Sequence, residues 1–190
     1  VSQCNDCALH LGRTNTVPGE GYHSAEIMLI GEGPGAREDQ EGRPFVGPAG
    51  QFLEQLLSSS GLGRSDVFIA NMVKCRPPNN RDPFPEELQA CSKYLDKQIE
   101  LVNPLLIVTL GRFSLSRFFP GKTMGIARVQ FREYIGRNIL PIMQPAAALY
   151  RPDNKVAIMK AYGFIPAMIS TLGQHSGTPT HQTIHDVLPP

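Results

Sequence analysis

Cys4, Cys7, Cys75 and Cys91 are the residues of this chain best suited to hold an inorganic group. Cys4 and Cys7 form a C-x-x-C near the start. Cys75 and Cys91 follow far along the chain, sixteen residues apart. Four thiolates can hold zinc or a [4Fe–4S] cluster. Zinc ribbons commonly use two close pairs, so the wide second pair fits a cluster better. A disulfide framework fits poorly, because the first residues lack the basic, apolar, small-residue pattern of a secretory signal. The plainer alternative is that Cys91 is one more residue on the apolar stripe of a helix.

A second group with chemical potential is the loop GEGPG at 31–35. It is neither G-x-G-x-x-G nor a Lys-ending phosphate loop. Glu32, Glu38, Asp39 and Glu41 around it would repel a phosphate. On residue type alone, Phe45 reads as a core aromatic and Asn71 as a strand-end turn residue. Leu149 and Tyr150 read equally well as packing on the last helix. His10, His23, His175, His181 and His185 fall in no motif and read as surface residues.

Alternating strands and helices must position these groups. Short apolar runs predict strands at 26–30, 67–70, 105–110 and 139–143, each followed by Gly, Asn or Gln-Pro. Helical spacing predicts helices over about 48–60, 85–102, 112–119 and 153–170. The segment 31–50 reads as a shaped Gly/Pro-rich loop. This alternation predicts a three-layer α/β/α domain with a central, mostly parallel four-stranded sheet. Its ligand site should lie at the carboxyl ends of the strands, in the loops after Ile30, Ala70 and Met143. One domain is expected over residues 1–170, with a polar, loosely ordered tail over 171–190.

With 41% apolar and 18% charged residues, the 190-residue chain has ordinary core material. No run approaches about 18 consecutive apolar residues, so no membrane span is expected. The formal net charge of +1 does not mark a nucleic-acid binder. DNA would have to be met by local cations such as Arg64, Lys74, Arg76 and Arg81. Scattered surface arginines fit the composition equally well.

Three segments, GEGPGAREDQEGRPFVGPAG, IANMVKCRPPNNRDP and PAAALYRP, resemble the family 4 uracil-DNA glycosylases of bacteria and archaea. The four cysteines match the [4Fe–4S] ligands of that family in order and spacing. The resemblance runs from Cys4 to about residue 165. It implies a monofunctional hydrolase that removes uracil from DNA, a cytoplasmic repair enzyme working as a monomer. Its partners would be uracil-containing DNA and the product uracil, with no membrane.

The resemblance also implies roles. A base must leave the stack to be excised. Phe45 matches the family's stacking aromatic. Asn71 matches its uracil reader, accepting from N3–H and donating to O4. Glu38 matches the residue that crowds C5 against thymine. Glu32 matches the carboxylate beside the sugar. Gly33 stands where other uracil glycosylases carry a water-activating Asp, and its backbone N–H is expected at the pocket. Asn80 matches a further residue near the sugar. The segment Ala146–Arg151 matches the loop that enters the minor groove, with Leu149 the candidate wedge into the vacated stack and Arg151 a candidate phosphate contact. No lysine in these motifs offers a Schiff base, so no strand cleavage is expected.

The third motif departs from the family, which usually reads His-Pro-Ala or His-Pro-Ser. Here it is Gln144-Pro145-Ala146. The family's His donates to uracil O2 as the leaving group gains charge. The amide of Gln144 can donate too, with different reach, so weaker stabilisation is expected. This leaves two alternatives to an active glycosylase. One is an impaired or inactive uracil-DNA-binding protein of the same fold. The other is a redox-sensing iron–sulfur protein that binds DNA.

Overall fold

The computed structural model describes residues 1–122 and 132–174. The strands are β1 (Glu20–Gly21), β2 (Ile27–Gly31), β3 (Val67–Asn71), β4 (Leu106–Leu110), β5 (Arg132–Tyr134) and β6 (Arg137–Ile142). They form one sheet in the order β1-β3-β2-β4-β6-β5. The four inner strands are mutually parallel, as the apolar runs predict. Two short antiparallel strands, β1 and β5, extend the sheet at its edges to six. Neither carries an apolar run. The β5–β6 hairpin turns through Ile135 and Gly136, both at positive φ, without the Asn-Gly or Asp-Gly signal such turns favour.

All five residues of β2, β3 and β4 are buried, as expected of strands covered on both faces. The helices are α1 (Ala36–Glu41), α2 (Pro48–Ser59), α3 (Pro85–Val102), α4 (Arg112–Phe118), α5 (Ala147–Tyr150), α6 (Pro152–Gly163) and α7 (Ile165–Gln174). On one face of the sheet, Leu29, Ile69 and Val108 pack with Leu53 and Leu57 of α2, Tyr162 of α6 and Met168 of α7. On the other, Met28, Ile30 and Ile107 pack with Leu95 and Ile99 of α3. The expected three layers are present.

Sequence patterning misses two breaks in this frame. The Gly/Pro-rich segment contains a short helix, α1, closed by Gly42 in the left-handed region. The expected single helix over 153–170 is two, because Pro166 lacks the N–H that would continue it. The second of them runs to Gln174, so residues 171–174 are helical. The remainder of the expected tail, with His175, His181 and His185, lies outside the described residues. The stretch Asp153–Gln174 is apolar and long enough to cross a membrane by composition. Here Ile158, Tyr162, Ile165, Met168 and Leu172 pack into the core instead.

The chain passes from β2 to β3 on one side, then crosses to β4 on the other. That reversal marks the switch point at the carboxyl ends of the central strands, where α/β sheets place their ligands.

Candidate active site and cysteine cavity

Gly31 closes β2 and lies in register with Asn71, the last residue of β3. A methyl group built on Gly31 would stand 2.4 Å from Asn71 Oδ1 and 2.7 Å from Phe45 Cζ. The amide and the phenyl ring therefore meet over a bare stretch of backbone. Gly31 was not singled out by the sequence; its one signal is the glycine that ends the strand. Asn71 is 2% exposed, and its Oδ1 accepts no hydrogen bond from the described residues. Leaving a buried acceptor unpaired costs about 1–3 kcal/mol.

The backbone at Phe45 is held from three directions. Its φ is 52°, the left-handed region. Arg64 Nη1 donates to Phe45 O at 3.0 Å, and Nη2 donates to Pro44 O. The Glu20 carboxylate pairs with both Arg64 and Arg43. Glu38 Oε1 accepts from the N–H groups of Val46 at 3.0 Å and Gly47 at 2.8 Å. Beneath the loop, Gly50 packs so closely that a methyl group would lie 1.9 Å from Phe45 O, which only glycine permits.

Glu32 follows β2 and is half-buried. Burial holds its carboxyl pKa above the ordinary glutamate value. Nearby Asp82 adds to the rise and Arg112 opposes it. Asp82 and Arg112 pair with each other. Sequence reasoning missed both, although Arg112 directly follows the strand-end glycine Gly111, whose φ is 96°. Gly33 is explained by packing, because a methyl group there would stand 2.8 Å from Val73 Cγ2. Gln144 lies against the end of β4, with its Cβ 3.3 Å from a methyl group built on Gly111.

The remaining expected residues lie further out. Asn80 is exposed, and its Oδ1 accepts from Arg76 Nε at 2.8 Å. Leu149 and Tyr150 are 51% and 84% exposed on α5, so the reading that they pack on the last helix is corrected. Arg151 is exposed beside them. Of the four cations considered for DNA, Lys74 is corrected outright, since the residue is 1% exposed. Arg64 is turned inward to carbonyls. Arg81 is paired with Glu87 and Arg76 with Asn80.

All four cysteines line a single open cavity, together with Leu9, Arg13 and Tyr94. Arg13 Nη1 donates to Cys75 Sγ at 3.2 Å, and the peptide N–H of Lys74 donates to Cys91 Sγ at 3.3 Å. Burial pushes the Cys91 thiol up to about 11, and burial raises that of Cys75 against the opposing effect of Arg13. A bound metal would have to displace those protons. Among the described residues no three His, Cys, Asp or Glu side chains converge on a single-ion site. His10, read as a surface residue, lines the same cavity and sits 2.8 Å from Cys7 O.

The model of the uracil DNA glycosylase superfamily matches residues 18–163. The chain is 52% identical over 181 residues to the type-4 uracil-DNA glycosylase of Saccharolobus solfataricus, covering 90% of this chain and 84% of that protein. It is 50% identical over 163 residues to the type-4 enzyme of Sulfurisphaera tokodaii, covering 80% and 74%. It is 47% identical over 174 residues to that of Thermotoga maritima, covering 87% and 91%. Matched over most of its length by both the superfamily model and these relatives, the chain belongs to the uracil DNA glycosylase superfamily, in its type-4 branch.

Proposed function

We propose that this chain hydrolyses the N-glycosidic bond of uracil flipped out of DNA, leaving an abasic site for base excision repair. The observation that carries the reading is the buried, unpaired Oδ1 of Asn71 beside the Phe45 ring. A uracil stacked on that ring offers its N3–H to Oδ1 and its O4 to the amide NH2. Cytosine presents the reverse pattern along that edge. Glu38 is committed to the backbone of the Phe45 loop, so it acts against thymine through the position of that loop.

In the reaction the C1′–N1 bond breaks and both its electrons leave with uracil. Water oxygen bonds to C1′ and gives up a proton. Two charges develop, positive on the sugar and negative on the base, and the site must meet both. Glu32 supplies the anion facing the sugar and Gln144 a donor for uracil O2. Leu149 and Arg151, exposed together after β6, form the surface that enters the groove and holds phosphate.

A duplex with one U·G pair, incubated with the protein and treated with alkali, should break at that position. The same duplex with T·G or C·G should stay intact. Alkali-resistant U·G strands would remove the assignment.

Glu32 gives this reading a pH signature. Its raised pKa means that it keeps its proton further up the pH scale than an exposed glutamate. The carboxylate is the working form, so single-turnover rate should fall as pH drops through that raised value. Glu32→Gln should be slow and lack that acid limb. Ionising a carboxyl whose pKa is raised by folding costs stability as pH rises through it. Glu32→Gln should therefore also melt higher at pH 7. An acid limb unchanged in Glu32→Gln would assign the titration to another group.

We further propose that Cys4, Cys7, Cys75 and Cys91 hold an iron–sulfur cluster as a structural tie. The four thiols line one cavity, and an all-thiolate donor set suits an iron–sulfur cluster. N–H donors on two of the sulfurs suit bound thiolates. The cluster would join the N-terminal loop to α3 and the loop before it. Cys75→Ala should lose iron and about 10 °C or more in Tm, since each kcal/mol is worth about 2–4 °C in a chain of this size. A variant with full iron and an unchanged Tm would contradict that role.

A further inference from the structure

Lys74 lies three residues after the uracil reader and one before Cys75. It is among the largest fully buried side chains of the protein. Its Nζ donates to the backbone carbonyl of Asn71 at 2.8 Å and to Gln98 Oε1 at 2.6 Å. Gln98 is fixed in turn, since its Nε2 donates to Pro18 O at 2.6 Å. The backbone of Lys74 is tied on both sides as well. Its N–H reaches Cys91 Sγ, and its carbonyl accepts from Val17 N–H at 2.7 Å.

The hydrogen-bond acceptors of this ammonium are both neutral, an amide side chain and a peptide carbonyl. Burying a cation without a carboxylate partner is costly, and an apolar side chain of similar length would fill the space at lower cost. What the cation does that an apolar chain cannot is grip the Asn71 peptide. That peptide carries the side chain whose acceptor is left unpaired for the base.

We propose that Lys74 is a positioning residue for uracil recognition. It locks the carbonyl of Asn71 to α3 through Gln98, so that the Asn71 amide stands at a fixed height over Gly31. The same residue's peptide N–H bonds Cys91. The cysteine-lined lobe and the base reader thus share one residue. This inference rests on the assignment of Asn71 as the reader.

The test is the affinity of the full chain for two duplexes that differ in one base, 2′-fluoro-2′-deoxyuridine or 2′-fluoro-2′-deoxycytidine opposite G. The fluorine suppresses cleavage, so binding is read without turnover. Lys74→Met should lose roughly ten-fold in preference for the uracil duplex, the order of one hydrogen bond to a charged group. In an Asn71→Ala background the same substitution should remove nothing more. A role in fold stability alone would lower Tm, weaken both duplexes alike and add to the Asn71→Ala loss; that result overturns the proposal. If Lys74→Met does not fold, Gln98→Leu removes the acceptor that steers Nζ. It should lower the preference in the same direction, about three-fold, and an unchanged preference there overturns the proposal. Should Asn71→Ala itself keep the uracil preference, the reader assignment fails and the role of Lys74 with it. Should only Lys74→Met and Gln98→Leu keep it, the reader stands and the positioning role alone is lost.

Discussion

Asn71→Ala is expected to lower kcat/KM for uracil release about 10- to 10²-fold, while the protein keeps its fold. A pair of hydrogen bonds to a base edge is worth about 1–3 kcal/mol, and each 1.4 kcal/mol is about ten-fold. The substitution removes an acceptor already without a partner, so the folded protein loses no internal bond from Oδ1. Truncating a group whose acceptor was unsatisfied should cost little Tm. This combination, a large kinetic loss with a small stability loss, separates a reader from a core residue. Asn71→Asp should also be slow on uracil, because a carboxylate opposes O4. It should gain some action on cytosine, whose N4–H2 it can accept. Single-turnover release from U·G and C·G duplexes, with melting curves, checks all of this. Unchanged uracil kinetics in Asn71→Ala would take the residue out of the site.

Gln144→His is expected to release uracil faster, by roughly ten-fold, within the 10²–10³ that a whole oxyanion donor is worth. Gln144 lies against Gly111, at the carboxyl end of β4. Its amide is a neutral donor that adapts little as charge builds on uracil. An imidazole N–H at that site is better matched to the developing anion. Gln144→Ala should be slower than the Gln144 protein, which fixes the direction of the series. Equal rates for Gln, His and Ala would mean that backbone donors stabilise the leaving group.

The parallel sheet is legible because its strands are uninterrupted apolar runs ending in Gly or Asn. β1 and β5 escape such a reading, since two or three residues such as Glu20-Gly21 or Arg132-Glu133-Tyr134 carry no period. The helix break at Pro166 was open to the sequence, yet the apolar content on both sides masks it. At the site, Asn71, Phe45 and Gln144 are marked by motif resemblance; their residue types alone fit a core and a turn. The parts that position them are silent in sequence because their contacts are distant. Arg64 reaches back to Phe45 and Glu20, and Arg13 reaches Cys75 across most of the first domain half. Lys74 illustrates the reverse error. A lysine in a polar loop reads as a phosphate contact, but the fold buries it, with Nζ bonded to Asn71 O and Gln98 Oε1.

Cleavage of the C1′–N1 bond frees the base, so the most direct measurement is uracil itself. The protein, in excess over a duplex with a single U·G pair, should release one equivalent of uracil per duplex in a single exponential phase. The abasic strand should stay unbroken until alkali is added. If the duplex is bound stoichiometrically and no uracil appears over hours, the chain is a uracil-DNA-binding protein and the catalytic roles assigned to Glu32 and Gln144 are wrong.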